Sequence, residues 1–321
     1  MQSPRPGTSP VAVDAGPRDP ARRTLFKGVA AGAVVAALPG RSDAVVANAA
    51  TAPDLRLWYR QPARVWVEAL PVGNGRLGAM VFGGVAHERL QLNEDTLYAG
   101  GPYSAVNPKA REGLPQVRAL IFAGRYAEAA ALADDTLISR PVKQMAYQPL
   151  GNLWLQFDRL DGVADYRREL DLDAAVARTT FRVGNGVHRR EVFVSPVDQC
   201  IVVRYAVEGG DAMIGRIRTG NEHATSTRVV DGGWHVSGRN VGKHGIDGRL
   251  RFAFRVHVTH REGQLRVEQD QIAFDGVRVL ELRIVAATSH VAYDDVGGDP
   301  DAITAAQLGR VKGKRFDAVQ A

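Results

Sequence analysis

Between Gly73 and Tyr98 the chain gathers residue types that a hydrophobic core does not require. Asn74 and Arg76 sit among glycines. Asn93, Glu94, Asp95 and Thr96 form a polar run between Leu92 and Leu97, with Tyr98 just beyond. A carboxylate can move a proton, an amide or guanidinium can hold a hydroxyl, and an aromatic ring can stack on the apolar face of a sugar. Glycosidic hydrolysis uses two carboxyl groups on opposite sides of the scissile bond, about 5 to 10 Å apart. Glu94 and Asp95 are neighbours, and neighbours on one extended segment point to opposite faces, so they do not form such a pair. The turn chemistry of Asn93 and Asp95 predicts that both hydrogen-bond a turn. The functional alternative is a loop that lines a sugar pocket from the side.

Other constellations carry less. Gly73-Asn74-Gly75-Arg76-Leu77-Gly78 fits G-x-G-x-x-G, and Glu94 follows at about the spacing of a ribose-binding acid. The following Ala79 to Gly84 is short, apolar and glycine-ended, like a strand, whereas a dinucleotide site needs a helix there. A tight turn feeding a strand is the better reading. The eight histidines show no metal-ligand spacing, and the lone Cys200 excludes a disulfide within the chain and cysteine-rich zinc sites. Cys200 opens an apolar run and reads as a buried small hydrophobe. No cofactor or metal is expected. No nucleophile elbow supports Ser-His-Asp chemistry. Trp58, Tyr59, Trp66, Tyr98, Tyr103 and Trp154 could stack on sugars, although core packing is the commoner use of any one of them.

The elements that must position these residues are mostly strands. Leu250 to Val258 alternates strictly, with Leu250, Phe252, Phe254, Val256 and Val258 on one face and Arg251, Arg255 and His257 on the other. Ile201 to Val207 and Val277 to Val285 are β-rich runs. Gly184-Asn185-Gly186 marks a hairpin, with Asn-Gly expected to supply positive φ. Short strands with Gly-, Asp- and Asn-rich turns predict an all-β-dominated, large antiparallel β-sandwich. Pro115 to Leu137 predicts a short helical insertion split at Gly124. Asp301 to Ala321 is helix-prone, broken by Gly309 and Gly313, and is expected to fray.

The composition, 45% hydrophobic and 24% charged over 321 residues, suits a globular chain with a sizeable core. The net charge is +6, and the first 49 residues supply half of it, six basic against three acidic. The remainder is scattered, so a nucleic-acid partner is not expected. Arg22 and Arg23, the apolar run Gly28 to Leu38 and Ala47-Asn48-Ala49 read as a cleavable twin-arginine export signal, with a Sec signal or an uncleaved anchor as the alternative. Its apolar run is too short for a stable membrane span. Residues 1–21 read as disordered. The expected location is periplasmic or secreted.

Motifs in series carry a resemblance. ALPVGNGRLGAMVFGG (residues 69–84) and LQLNEDTLYAGGP (residues 90–102) come first. QMAYQPLGNLWL (144–155), DYRRELDLDA (165–174), REVFVS (190–195) and AATSHVAYDDVGGDP (286–300) follow in order. Together they resemble the N-terminal domain of glycoside hydrolase family 95, the inverting α-L-fucosidases. The resemblance implies a super-sandwich of the galactose-mutarotase or lectin-like type. It implies residues 1–49 as leader, 50–300 as sandwich, and 301–321 as the start of a linker to an (α/α)6 barrel that carries the catalytic groups. The sequence stops where that barrel should begin, so no catalytic residue is assigned. Asn74, Arg76, Asn93, Glu94, Asp95, Thr96 and Tyr98 become candidates for lining the pocket or touching sugar. The implied partners are a fucosylated oligosaccharide or glycan and the helical-barrel domain. Two readings compete with an inactive fucosidase-family fragment. One is a stand-alone carbohydrate-binding or scaffold module, and the other is a different enzyme class that uses Glu94 or Asp95.

Overall fold

The computed structural model describes residues 55–320. The leader features, Arg22, Arg23 and Ala47-Asn48-Ala49 included, lie outside the described residues. Sixteen strands occur in order: β1 Arg56–Tyr59, β2 Leu70–Gly73, β3 Leu77–Val81, β4 His87–Glu94, β5 Gly151–Phe157, β6 Val163–Asp171, β7 Val176–Val183 and β8 Gly186–Ser195, then β9 Cys200–Glu208, β10 Met213–Gly220, β11 Thr225–Val230, β12 Gly233–Arg239, β13 Arg251–Arg261, β14 Gln264–Val267, β15 Ile272–Val277 and β16 Val279–Thr288. Helices α1 Ala110–Phe122 and α2 Tyr126–Thr136 are inserted between β4 and β5. Helices α3 Pro300–Val311 and α4 Phe316–Gln320 end the described chain.

The strands build two sheets, both antiparallel. One has nine strands in the order β1-β6-β7-β8-β9-β16-β13-β12-β11. The other has seven, β14-β15-β10-β5-β4-β3-β2. Alternation decides which side chains meet between them. Phe252, Phe254, Val256 and Val258 of β13 face Leu153, Leu155 and Phe157 of β5 and Leu90 and Leu92 of β4 in one apolar core. This is the expected sandwich. The hairpin between β7 and β8 is present, with Val183 paired to Gly186. Its positive φ (57°) belongs to Gly184 at the first corner position, and Asn185 is not left-handed, so the turn has the II′ pattern and Gly184 supplies what Asn-Gly was expected to supply.

Two helical boundaries differ from expectation. Helix α1 starts at Ala110 and carries Pro115 as its sixth residue, where the missing N–H forgoes the bond to the Arg111 carbonyl. Gly124, at φ 72°, separates α1 from α2 as expected. The tail does not fray. Asp299 caps α3, accepting from the N–H groups of Asp301 and Ala302, and Pro300 takes the first helical position. The helix runs through Gly309. Leu308, Val311, Phe316 and Val319 then cover Val176, Phe193, Cys200, Val202 and Val285 on the outer face of the nine-stranded sheet. Cys200 is thus a packed thiol, and burial pushes it up to about 12.

One charge pair is buried between the sheets. Arg190 of β8 lies against the rings of Phe157, Phe181 and Tyr205 and donates to the carbonyls of Gly84 and Val85. Its guanidinium stands 3.9 Å from Glu88 of β4, whose Oε1 accepts from the N–H groups of Gly83 and Arg89. Burial outweighs the Arg190 charge and these hydrogen bonds, and pushes Glu88 from 4.5 up to about 7. An acid raised on folding holds more protons folded than unfolded between its two pKa values, so its contribution to stability falls as pH rises through that window. Chemical denaturation from pH 4.5 to 7 should therefore show a stability loss in the native sequence that Glu88→Gln lacks. Parallel pH profiles for the two would count against the shift.

Candidate functional site

The turn between β2 and β3 is a built anchor. Asn74 Oδ1 accepts from the N–H groups of Arg76 (3.0 Å) and Leu77 (2.8 Å), and Asn74 Nδ2 donates to the Ser195 carbonyl at the end of β8 (3.0 Å). Gly75 takes φ 93°, which a side chain would resist. The glycines open a hairpin rather than a helix, so no dinucleotide cradle forms. The turn aims Arg76 across the end of the sandwich. Its Nε donates to Gln199 Oε1 (2.7 Å), and one terminal nitrogen donates to the Ala286 carbonyl of β16 (2.7 Å) and reaches Glu94 Oε1 at 3.5 Å.

Glu94 is the inward-facing last residue of β4, 3% exposed. Its Oε2 accepts from both the N–H (2.9 Å) and the hydroxyl (2.7 Å) of Thr96, and Thr96 Oγ1 meets Thr288 Oγ1 at the end of β16. Burial raises the Glu94 carboxyl above its ordinary value, against the lowering effect of the Thr96 hydrogen bonds. The expected turn is therefore closed by Glu94 and not by the Asn93 and Asp95 side chains. Asn93 Oδ1 instead accepts from the Tyr147 hydroxyl (3.1 Å), which also reaches the Glu94 carbonyl (3.2 Å). Burial pushes that phenol up to about 12, so it stays a donor.

Beyond this frame the chain turns outward. Asp95, Thr96 and Tyr98 line an open cleft of about 620 Å³ with Tyr103, Gln144, Met145, His290 and Tyr293. Tyr98 packs edge-on to Tyr147 with centroids 5.4 Å apart, which leaves its ring partly exposed. Asn74, Arg76 and Glu94 stand behind this wall. Asn93 stands beside it, held by Tyr147. The wall depends on a residue that motif reading missed. Buried Asn240 donates to the carbonyls of Tyr98 and Gly100 (both 2.6 Å) and accepts from the Leu250 N–H (3.1 Å). It precedes a glycine-rich loop, and only its partners, far away in sequence, reveal its role. Trp58, Tyr59, Trp66, Tyr98, Tyr103 and Trp154 are all 37–53% exposed, so none serves as core.

The cleft offers aromatic faces, hydroxyls, an amide, an imidazole and one exposed carboxylate. That inventory fits a polyol with apolar ring faces. Among the described residues no group of three or more His, Cys, Asp or Glu could hold a metal ion, and no described helix is long and apolar enough to cross a membrane.

Comparison with known proteins places the chain in a family. The family model described as glycosyl hydrolase family 65, N-terminal domain, matches residues 57–293. Alpha-L-fucosidase 2 of Arabidopsis thaliana is 44% identical over 160 residues, 49% of this chain and 19% of that protein. Probable alpha-fucosidase A of Aspergillus niger is 38% identical over 143 residues, 42% of this chain and 17% of that protein. The corresponding Aspergillus oryzae protein is 36% identical over 142 residues, 42% and 19%. The matched segment thus spans less than a fifth of these relatives' length.

The Arg76 frame can be tested without a ligand. Arg76→Ala leaves a buried carboxylate without its cation and the Ala286 carbonyl without its donor. The expected loss is about 2–4 kcal/mol in denaturant unfolding. Arg76→Lys, which keeps the charge and loses the forked donor, should fall between. A loss within about 0.5 kcal/mol for Arg76→Ala would mean that the network is surface ornament.

Proposed function

The chain belongs to the glycosyl hydrolase family 65 N-terminal domain family, and from that premise we propose that it is the sandwich domain of an exported α-L-fucosidase of the family 95 type. In this reading it supplies one wall of a pocket for a terminal α-L-fucosyl glycan, together with the surface on which a helical-barrel domain packs. Asp95, Thr96 and Tyr98 would touch sugar, held by Asn74, Arg76, Asn93 and Glu94 behind and beside them. The proton-transfer groups would belong to the barrel. The names of the relatives support the substrate class. The single observation that carries the reading is the cleft itself, where a buried, fully engaged Glu94 aims its exposed neighbours into an aromatic hollow. Glu94 is occupied as a structural acceptor, which makes it a poor acid catalyst.

One observation favours a stand-alone carbohydrate-binding module. The tail expected to fray is capped and packed on the nine-stranded sheet. The two readings share the cleft and differ in the barrel.

The 321-residue chain should bind a 2′-fucosylated oligosaccharide in calorimetry and release no fucose. Tyr98→Ala should weaken binding about tenfold, the share of one stacked ring. Fucose release abolished by Glu94→Gln would overturn the assignment of roles. A monodisperse monomer in sedimentation, with no gain in solubility from a co-expressed barrel fragment, would favour the stand-alone module.

The leader makes a separate prediction. Arg22→Lys with Arg23→Lys should trap precursor in the cytoplasm, and exported native chain should begin near Ala50. Exported protein that retains Met1 would reject the cleavable signal.

A further inference from the structure

The seven-stranded sheet turns an unusual face to solvent. Trp154 of β5 points outward and is 40% exposed. On the neighbouring strands its directly paired residues are both arginines, Arg89 of β4 and Arg218 of β10. Gly220 lies beneath the indole. A Cβ there would come within 2.4 Å of Trp154 Cζ3, so the glycine lets the ring lie down on the sheet. Arg89 Nε donates to Asn152 Oδ1 (2.7 Å), and a terminal nitrogen of Arg216 donates to Gln156 Oε1 (2.6 Å). Amides thus fix two of the guanidiniums, and among the described residues Arg89, Arg216 and Arg218 form no ion pair. Arg216 Nε is buried without a hydrogen-bond partner. The Arg216 side chain helps line a hollow of about 180 Å³ beside the ring, shared with His87, Gln156 and Arg218. Glu88 also borders it, but its Oε1 is turned to the N–H groups of Gly83 and Arg89.

We propose that this face binds an acidic glycan, with one sugar ring stacked on Trp154 and its carboxylate or sulfate ester held by Arg216 and Arg218. A pyranose presents an apolar face of C–H groups and a rim of hydroxyls. The indole suits the first, while the side-chain N–H groups of half-buried Gln156 suit the second. Three guanidiniums without carboxylate partners leave net positive charge that a neutral sugar would not offset. Guanidinium planes bind carboxylate and sulfate oxygens in a fork. The outward positions near the ring are polar or charged, so the face lacks the aliphatic centre of a protein interface. Trp66, exposed and anchored through Nε1 to Gln91 Oε1 (2.5 Å), lies along the same face, since Gln91 pairs with Asn152. It provides a second ring for a longer chain.

The inference takes its ligand class from the glycan reading above and uses none of the cleft residues. The test is binding of the 321-residue chain to oligogalacturonate and to a sulfated oligosaccharide, with a neutral oligosaccharide of equal length and single-stranded DNA as comparators. The acidic ligands should bind at least about tenfold more tightly than the neutral one, and added salt should weaken them. Trp154→Ala and Arg218→Glu should each lower that affinity about tenfold at unchanged melting temperature. Gly220→Ala, which retains Trp154 but lifts its ring, should weaken binding as well. Equal affinity for the neutral oligosaccharide, equal or tighter binding of DNA, or indifference to all three variants would overturn the proposal. Fucosylated oligosaccharide, measured on the same proteins, reads the cleft separately, so the two readings can fail independently.

Discussion

The guanidinium of Arg76 closes the end of the sandwich, and the arrangement of the candidate site depends on it. It starts from the β2–β3 turn of one sheet and reaches Gln199 and Ala286 of the other. Its third neighbour is Glu94, a carboxylate that could not stay buried without donors. Thr96 supplies two of these from the same loop. The loop is therefore fixed at its root by charge and hydrogen bonds, while Asp95 and Tyr98 are free to face the cleft. Apolar contacts alone would hold the two sheets together without fixing the direction in which this loop leaves β4.

A second polar link works in a different way. Arg190 sits among three aromatic rings and donates to Gly84 and Val85, the turn between β3 and β4. Glu88 is near but distant enough that burial dominates its titration. The rings and carbonyls, more than the ion pair, satisfy the guanidinium. The two polar links join the β2–β4 strands to the nine-stranded sheet at opposite ends of the β3–β4 ladder, Arg76 beside Glu94 and Arg190 at the turn that precedes His87. The cleft wall extends from the Glu94 end.

Much of the scaffold was legible because it depends on local rules. The alternation of Phe252, Phe254, Val256 and Val258 gave β13 its face, and Gly184 marked its hairpin. Glycine also marked the break between α1 and α2. The roles of Arg76, Arg190 and Asn240 were not legible as such, because each is defined by partners far off in sequence, 210 positions away for Arg76 and Ala286. A charged residue on an inward-facing strand position, as at Glu88 and Arg190, signals that a partner exists without saying which. The polar run at 93–96 was recognisable as special, but its inner and outer members could not be told apart. Only the pleat of β4 sends Glu94 inward and leaves Asp95 at the rim.

The tail shows why sequence reasoning expected fraying where packing occurs. Isolated helices as short as α3 and α4 are marginal, so their propensity alone predicts disorder. Their stability comes from the outer face of β8, β9 and β16, where Phe193, Cys200, Val202 and Val285 would otherwise meet water. The Cys200–Val203 part of β9 and the Ile284–Ala287 part of β16 are apolar on both faces, and a strand segment of that kind must be covered twice. Strands β4, β5 and β10 alternate, and their outward positions around Trp154 include Arg89, Gln91, Asn152, Gln156, Arg216, Arg218 and Gly220. The same pleat thus gives the two sheets opposite needs. One outer face demands helices and receives them from this chain. The other is largely polar, and its exposed indole, laid over a glycine between arginines, is the ring on which the proposed acidic glycan would stack.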